Sequence, residues 1–266
     1  MTGATVPITA RARDLLASEW IKLRSVRSTY LVLLVSAAVT VAVGIFSAAT
    51  VKTSHLDWGT FDPVQTSLAG LLVVQLAFGV FGALAITSEH ATGMIRTTFA
   101  AVPRRRAVLA AKATVTAAAG LVAGEAIAFA AFFAGQLVLS GKHLPGRQLS
   151  VTLADPGVLR AVAGAGFYLF IVTLVGLGLG TIIRHTAGAI AAVGLIFIQA
   201  LIVNAVLPDP NSTAGHYVLL WAGQSISSIR AHVTNYPSVG QSFAVCVAYA
   251  AALLTAASFL ITRRDA

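Results

Sequence analysis

The chain has 266 residues, of which 57% are hydrophobic and only 10% charged, with a formal net charge of +9 and a mean hydropathy of +0.85. A soluble domain carries about 25% charged and 45–50% apolar residues, so this composition excludes an ordinary soluble enzyme and indicates a polytopic membrane protein. The basic excess does not point to nucleic acid, because the Lys and Arg residues flank apolar runs, and a single cysteine, Cys246, excludes an intramolecular disulfide.

Residues 1–10 show no regular pattern and are expected to be disordered. From about Arg11 to Arg27 the pattern is amphipathic: Leu16, Trp20 and Leu23 recur at helical spacing with Ile21 beside them, while Asp14, Glu19, Lys22 and Arg27 lie largely elsewhere on the wheel. A basic amphipathic helix with a Trp on its apolar side suits a membrane interface.

Six apolar blocks then follow, each long enough to cross a ~30 Å hydrocarbon core, which takes about 20 residues of helix. They run from about Ser28 to Val51, Gln65 to Thr87, Val108 to Leu139, Leu159 to Ile183, Ala187 to Leu207 and Gln241 to Thr262. The first is too long for the apolar region of a cleaved signal peptide, and more spans follow it. The third is longer than a bilayer needs, which implies tilt or extension out of the membrane.

The predicted fold class is therefore all-α: six transmembrane helices (28–262), a cytoplasmic N-terminus (1–27) with its interfacial helix, and a short tail (263–266). In the last and longest loop, 208–240, the semi-apolar piece Val218–Ile229 is too short to span and too apolar for a free loop, so it reads as a re-entrant or interfacial helix. The loop 52–63 carries His55, Asp57 and Asp62, but their spacing matches no metal motif.

Thirteen basic residues fall on the side of the termini, among them Arg11, Lys22, Arg96, Arg104, Arg105, Arg106, Lys112 and Arg184, against five (Lys52, Lys142, Arg147, Arg160, Arg230) on the other. The positive-inside rule puts both termini, and the loop Ser88–Lys112 between the second and third spans, in the cytoplasm. That loop is the longest basic segment on its side. It begins with a Ser-Glu pair, continues as a helical face of Met94, Ile95 and Phe99 among Arg96, Thr97 and Thr98, and is stopped by Pro103.

The chain lacks ATP-binding machinery: Gly135 to His143 has the wrong spacing for a phosphate loop. Neither a nucleophile–base set nor paired carboxylates occur in the spans, so no enzyme activity is expected of the chain itself. Glu125 is the one acidic residue within a span, and intramembrane carboxylates are functional candidates. Gln75, Gln199 and Asn204 read as interhelical hydrogen bonders or pathway lining. Gly176 and Gly180, one turn apart, form a close-packing face.

These residues carry a resemblance. Ser18-Glu19-Trp20-Ile21-Lys22 before the first span, Glu89-His90-Ala91-Thr92-Gly93-Met94-Ile95-Arg96-Thr97-Thr98, Pro103 to Arg106, Ala111-Lys112 and Ala222-Gly223-Gln224 are similar to segments of the permease subunits of type-2 ABC exporters, especially six-span actinobacterial ones. The resemblance implies a first cytoplasmic loop that docks on a separate ATPase subunit, with Glu89, Gly93, Arg96, Thr97 and Thr98 as docking positions. It also implies a second permease, the same chain or a paralogue, and ATP and Mg held by the ATPase, with no cofactor or metal on this chain.

The expected function is export of a hydrophobic or amphipathic molecule (drug, peptide antibiotic or lipid) across a bacterial plasma membrane. Two rivals belong to other classes. One is a secondary carrier coupled to protons through Glu125; the other is a non-transporting immunity or sensor subunit.

Overall fold

The structure is a computed structural model and describes residues 8–52, 61–144, 147–206, 213–229 and 237–263. His55 and Asp57 lie outside them. The described residues form ten α-helices and one two-residue antiparallel pairing, His143–Leu144 with Arg147–Gln148. Six of the helices are long and apolar enough to cross a membrane.

The first helix, α1 (Ile8–Ser25), is separated from α2 (Arg27–Thr50) by a single extended residue, Val26. The bundle-facing side of α1 differs from the expected apolar stripe. It presents Leu15, Glu19, Lys22 and Leu23 inward, whereas Leu16, Trp20 and Ile21 are exposed, Ile21 at 67%. The exposed stripe keeps the apolar character an interface requires; the inward stripe is partly charged.

The second apolar block is not one helix from Gln65. A short helix, α3 (Pro63–Ser67), precedes α4 (Leu71–Ala91). Asp62 caps α3 by accepting from the backbone N–H groups of Val64 and Gln65, and Pro63 sits where a missing N–H costs nothing. A turn at 68–70 then redirects the chain.

Helix α5 (Met94–Ala101) follows α4, and α6 (Arg105–Ser140) follows α5. At 36 residues α6 is about 54 Å long, so it extends well beyond a hydrocarbon core. The remaining helices are α7 (Val158–Ile183), α8 (Thr186–Val206), α9 (Leu219–Ile226) and α10 (Val239–Arg263). Helix α9 is the short helix expected in the last long loop.

Helix α7 is the axis of the bundle and its most buried span. It packs most extensively on α4 and α6, and also on α10, α8 and α9. The α4–α7 contact is a backbone-to-backbone seam. A Cβ on Gly176 would overlap the Gly79 carbonyl, one on Gly82 the Thr173 carbonyl, and one on Gly180 would lie 2.8 Å from the Ala83 carbonyl. The core beside this seam is filled by Phe78, Phe132, Leu169 and Val172, all nearly inaccessible. By contrast α2, α8 and α10 leave most of their apolar surface open.

Candidate functional site

The Ser88–Lys112 segment folds as helix end, turn, short helix, stop. Helix α4 ends at Ala91 with Thr92 as its cap, and Gly93 takes a left-handed conformation (φ +71°). Glycine is required there by the sign of φ, since nothing lies within 4 Å of where its side chain would be.

Helix α5 then runs across the bundle end. Ile95 and Phe99, one turn apart, are buried in an apolar cluster with Ile86 of α4, Val108 and Leu109 of α6, Leu177 of α7 and Ile261 of α10. Met94, Arg96, Thr97 and Ala100 face outward. The Thr97 and Thr98 hydroxyls donate back to the Met94 carbonyl within their own helix. Pro103 cannot continue the helix.

Arg105 belongs to the basic run after Pro103 but turns into the bundle. It donates to the Ile261 carbonyl at 3.3 Å and its guanidinium stands 5.3 Å from the Phe99 ring centre, tying α5, α6 and α10 together. Arg104 and Arg106 are exposed.

Glu89 is not at the surface either. It is 3% exposed and belongs to a quartet of charges buried between α1, α4 and α6. Lys112 donates to Glu19 Oε2 at 2.5 Å and to Glu89 Oε1 at 2.8 Å; Lys22 donates to Glu19 Oε1 at 2.7 Å and to Glu89 Oε1 at 3.1 Å. Two carboxylates face two ammonium groups, so the quartet is neutral as a unit. A cavity of about 190 Å³, lined also by Val26, Phe81 and Val115, adjoins it. Burial lowers the Lys22 pKa, but the hydrogen bonds and charges of Glu19 and Glu89 outweigh it and hold the group above its ordinary 10.5.

Glu19, Lys22 and Lys112 escape a sequence reading that counts them only as flanking charge. The signal available was positional: Lys112 falls between Val108, Leu109 and Val115 on the buried side of a continuous helix.

The other expected polar residues are dispersed through the bundle. Gln75 accepts from the Tyr168 hydroxyl at 2.5 Å and donates to the Leu72 carbonyl at 2.9 Å. Gln199 Oε1 lies 3.2 Å from the Tyr249 hydroxyl, which also lies 3.0 Å from the Tyr217 carbonyl. Asn204 is in α8, and its side chain lies outside the described ones.

Glu125 packs its carboxyl over Gly166 of α7, and its Oε2 has no hydrogen-bond partner among the described residues. Gln136 lies eleven residues further along α6, about 16 Å up the helix axis and out of reach of Glu125; it donates to the Pro63 carbonyl and the Ser67 hydroxyl and accepts from Val151 N–H. Among the described residues no group of three His, Cys, Asp or Glu could hold a metal ion.

The family model for "ABC-2 family transporter protein" matches residues 15–203, which run from α1 through nearly all of α8. The chain belongs to the ABC-2 transporter family. As an ABC-2 transporter chain it is a multi-pass membrane component of a transport system, and its six apolar helices are those of a permease. The matched stretch contains the whole charge quartet and the α5 segment, so both lie in the part of this ABC-2 chain that carries the family likeness. A search of the curated proteins finds no match to the chain.

Proposed function

We propose that the chain is the permease subunit of an ATP-driven exporter in a bacterial plasma membrane, moving a hydrophobic or amphipathic molecule, with a separate ATPase docking on α5. The observation that carries this is the build of α5. One face is sunk in the ends of four spans through Ile95 and Phe99, and the opposite face offers Arg96 and Thr97 to a partner. A push on such a helix reaches α4, α6, α7 and α10 without passing through a flexible loop. The basic bias on that side supports a cytoplasmic position for α5 and both termini.

Arg96 is the position we assign to direct contact. Gly93 sets the turn that aims α5, and Thr97 and Thr98 form the rim. Glu89 acts through Lys112 and Lys22, fixing where α4 ends relative to α1. ATP and Mg belong to the partner. The open apolar faces of α2, α8 and α10 leave room for a second permease as well as lipid, and the exposed Leu16, Trp20 and Ile21 of α1 suit the inner membrane interface.

The test is co-purification of the tagged chain from its native membrane in mild detergent, with and without Arg96→Glu. Recovery of a soluble ATPase carrying a phosphate-loop motif, and its release by the substitution, is the expected result. Absence of any ATPase under conditions that keep a known transporter complex intact overturns the reading.

One observation favours a self-contained proton-coupled carrier, namely the unpartnered oxygen of Glu125. That reading requires transport driven by a proton gradient without ATPase, abolished by Glu125→Gln.

A further inference from the structure

At the end of the bundle away from the termini, α3, α4, α7 and α9 line a partly open cavity of about 280 Å³. This approaches the roughly 300 Å³ at which small-molecule sites begin. Its polar lining is Gln65, Gln75, Gln224, Ser227 and Tyr168, and its other wall is leucine, including Leu72 at the mouth. Among the described residues of the lining there is no Asp, Glu, Lys, Arg or His.

The polar wall is held in place. Buried Tyr168 donates to Gln75 Oε1, and Gln75 spends one amide N–H on the Leu72 carbonyl. A primary amide has two N–H donors and a phenol oxygen can still accept, so one donor and one acceptor remain at fixed positions. The roof is held as well. Arg160 donates to the Ile226 and Ser228 carbonyls at the end of α9, and Asp62 accepts from the Ser228 hydroxyl and Ile229 N–H. Gly223 of α9 lies on the Tyr168 ring, where any side chain would overlap it.

From this we infer that the cavity binds the uncharged, amide-bearing end of an amphipathic molecule, with its apolar part against the leucine wall. Amide and phenol groups can satisfy a neutral amide on both its donor and acceptor sides. A carboxylate or ammonium placed there would be partly desolvated with no counter-charge among the described lining residues, which selects against it. The inference rests on the exporter reading only in taking the bound molecule as cargo.

The experiment uses the purified full chain, needs no ATPase, and therefore fails independently of the co-purification. Ala69→Cys places a thiol on the cavity wall, Thr50→Cys gives a control at the same end, and native Cys246 is fully buried. Maleimide labelling is followed with N-acetyl-leucinamide, with N-acetyl-leucine as its anionic counterpart and leucinamide as its cationic one. We expect the neutral amide, at about ten times its Kd, to slow Ala69→Cys labelling roughly ten-fold by mass action. The charged compounds at the same concentration should leave the rate unchanged, as should every compound at Thr50→Cys. Gln75→Leu, which removes the amide donor, should abolish the protection, and saturation-transfer NMR on the unmodified chain should rank the three compounds the same way. Protection by none would mean that the cavity holds water only, and equal protection by all three or protection indifferent to Gln75→Leu would mean that its polar wall selects nothing; any of these outcomes would overturn the inference.

Discussion

The ammonium of Lys112, on α6, lies 2.5 Å from Oε2 of Glu19, on α1, across 93 residues of sequence, and both side chains are only 5% exposed. Nothing in the hydrophobic effect would bring these two groups together. Their contact is tolerated because Glu89 and Lys22 complete a neutral set, and it fixes α1 against the start of the long span.

Breaking that set should be costly. Removing one partner of a buried ion pair destabilises by about 3–5 kcal/mol, because the other charge is left buried and uncompensated. Lys112→Met should fall at the lower end, since Lys22 still faces both carboxylates. Thermal loss of the monodisperse peak in detergent reads this out, and the triple variant Glu19→Gln, Glu89→Gln, Lys112→Met should recover much of it. Wild-type stability in Lys112→Met would remove the quartet from the account of the fold.

The quartet also sets a pH dependence. The Lys22 pKa is raised above 10.5 in the folded chain. Its contribution is therefore fully present below 10.5 and lost as pH rises through the higher folded value. Proteolysis of α1 should be flat across neutral pH and accelerate only on the alkaline side of 10.5, and Lys22→Met should remove that alkaline step. A step near neutral pH assigned to Lys22 would contradict this.

The glycine seam makes a sharper structural prediction. Gly82→Ala should drive α4 from α7, because its Cβ has a backbone carbonyl and not a movable side chain in its way. Such overpacking costs about 1–3 kcal/mol, and backbone contact places it at the upper end. Gly194→Ala, also within a helix but with nothing within 4 Å, is the matched control and should be neutral or stabilise by up to about 1 kcal/mol. The two are compared by thermal midpoint, and equal midpoints would refute the seam.

Asp62 joins the two short outer helices by capping α3 with one oxygen and holding the end of α9 with the other. Asp62→Ala should cost about 1 kcal/mol for the cap, plus about 1–3 kcal/mol for each partner left buried without one. Hydrogen exchange should rise in both α3 and α9. A rise confined to α3 would mean that the link to α9 contributes nothing.

The fold class, the six apolar spans, a short helix within 218–229 and the family were legible in the sequence. Each rests on a local property: twenty apolar residues must cross as helix because the bilayer offers no partner to an unpaired backbone group, and the loop motif lies within ten consecutive residues. Glycines at 176 and 180 announced a close-packing face, though not that α4 would meet it through Gly79 and Ala83. Which charges are buried followed from how the helices pack. On a helical wheel Glu19, Glu89 and Lys112 look like any solvated flank. Their role depends on α1 folding back along α6 and on where α4 ends, which are relations between segments up to 93 residues apart. The break at 68–70, the use of Gln136 by α3, and the cavity under α9 were hidden for the same reason. A buried polar group takes its partner from whatever element packs beside it, and a linear pattern does not record that neighbour.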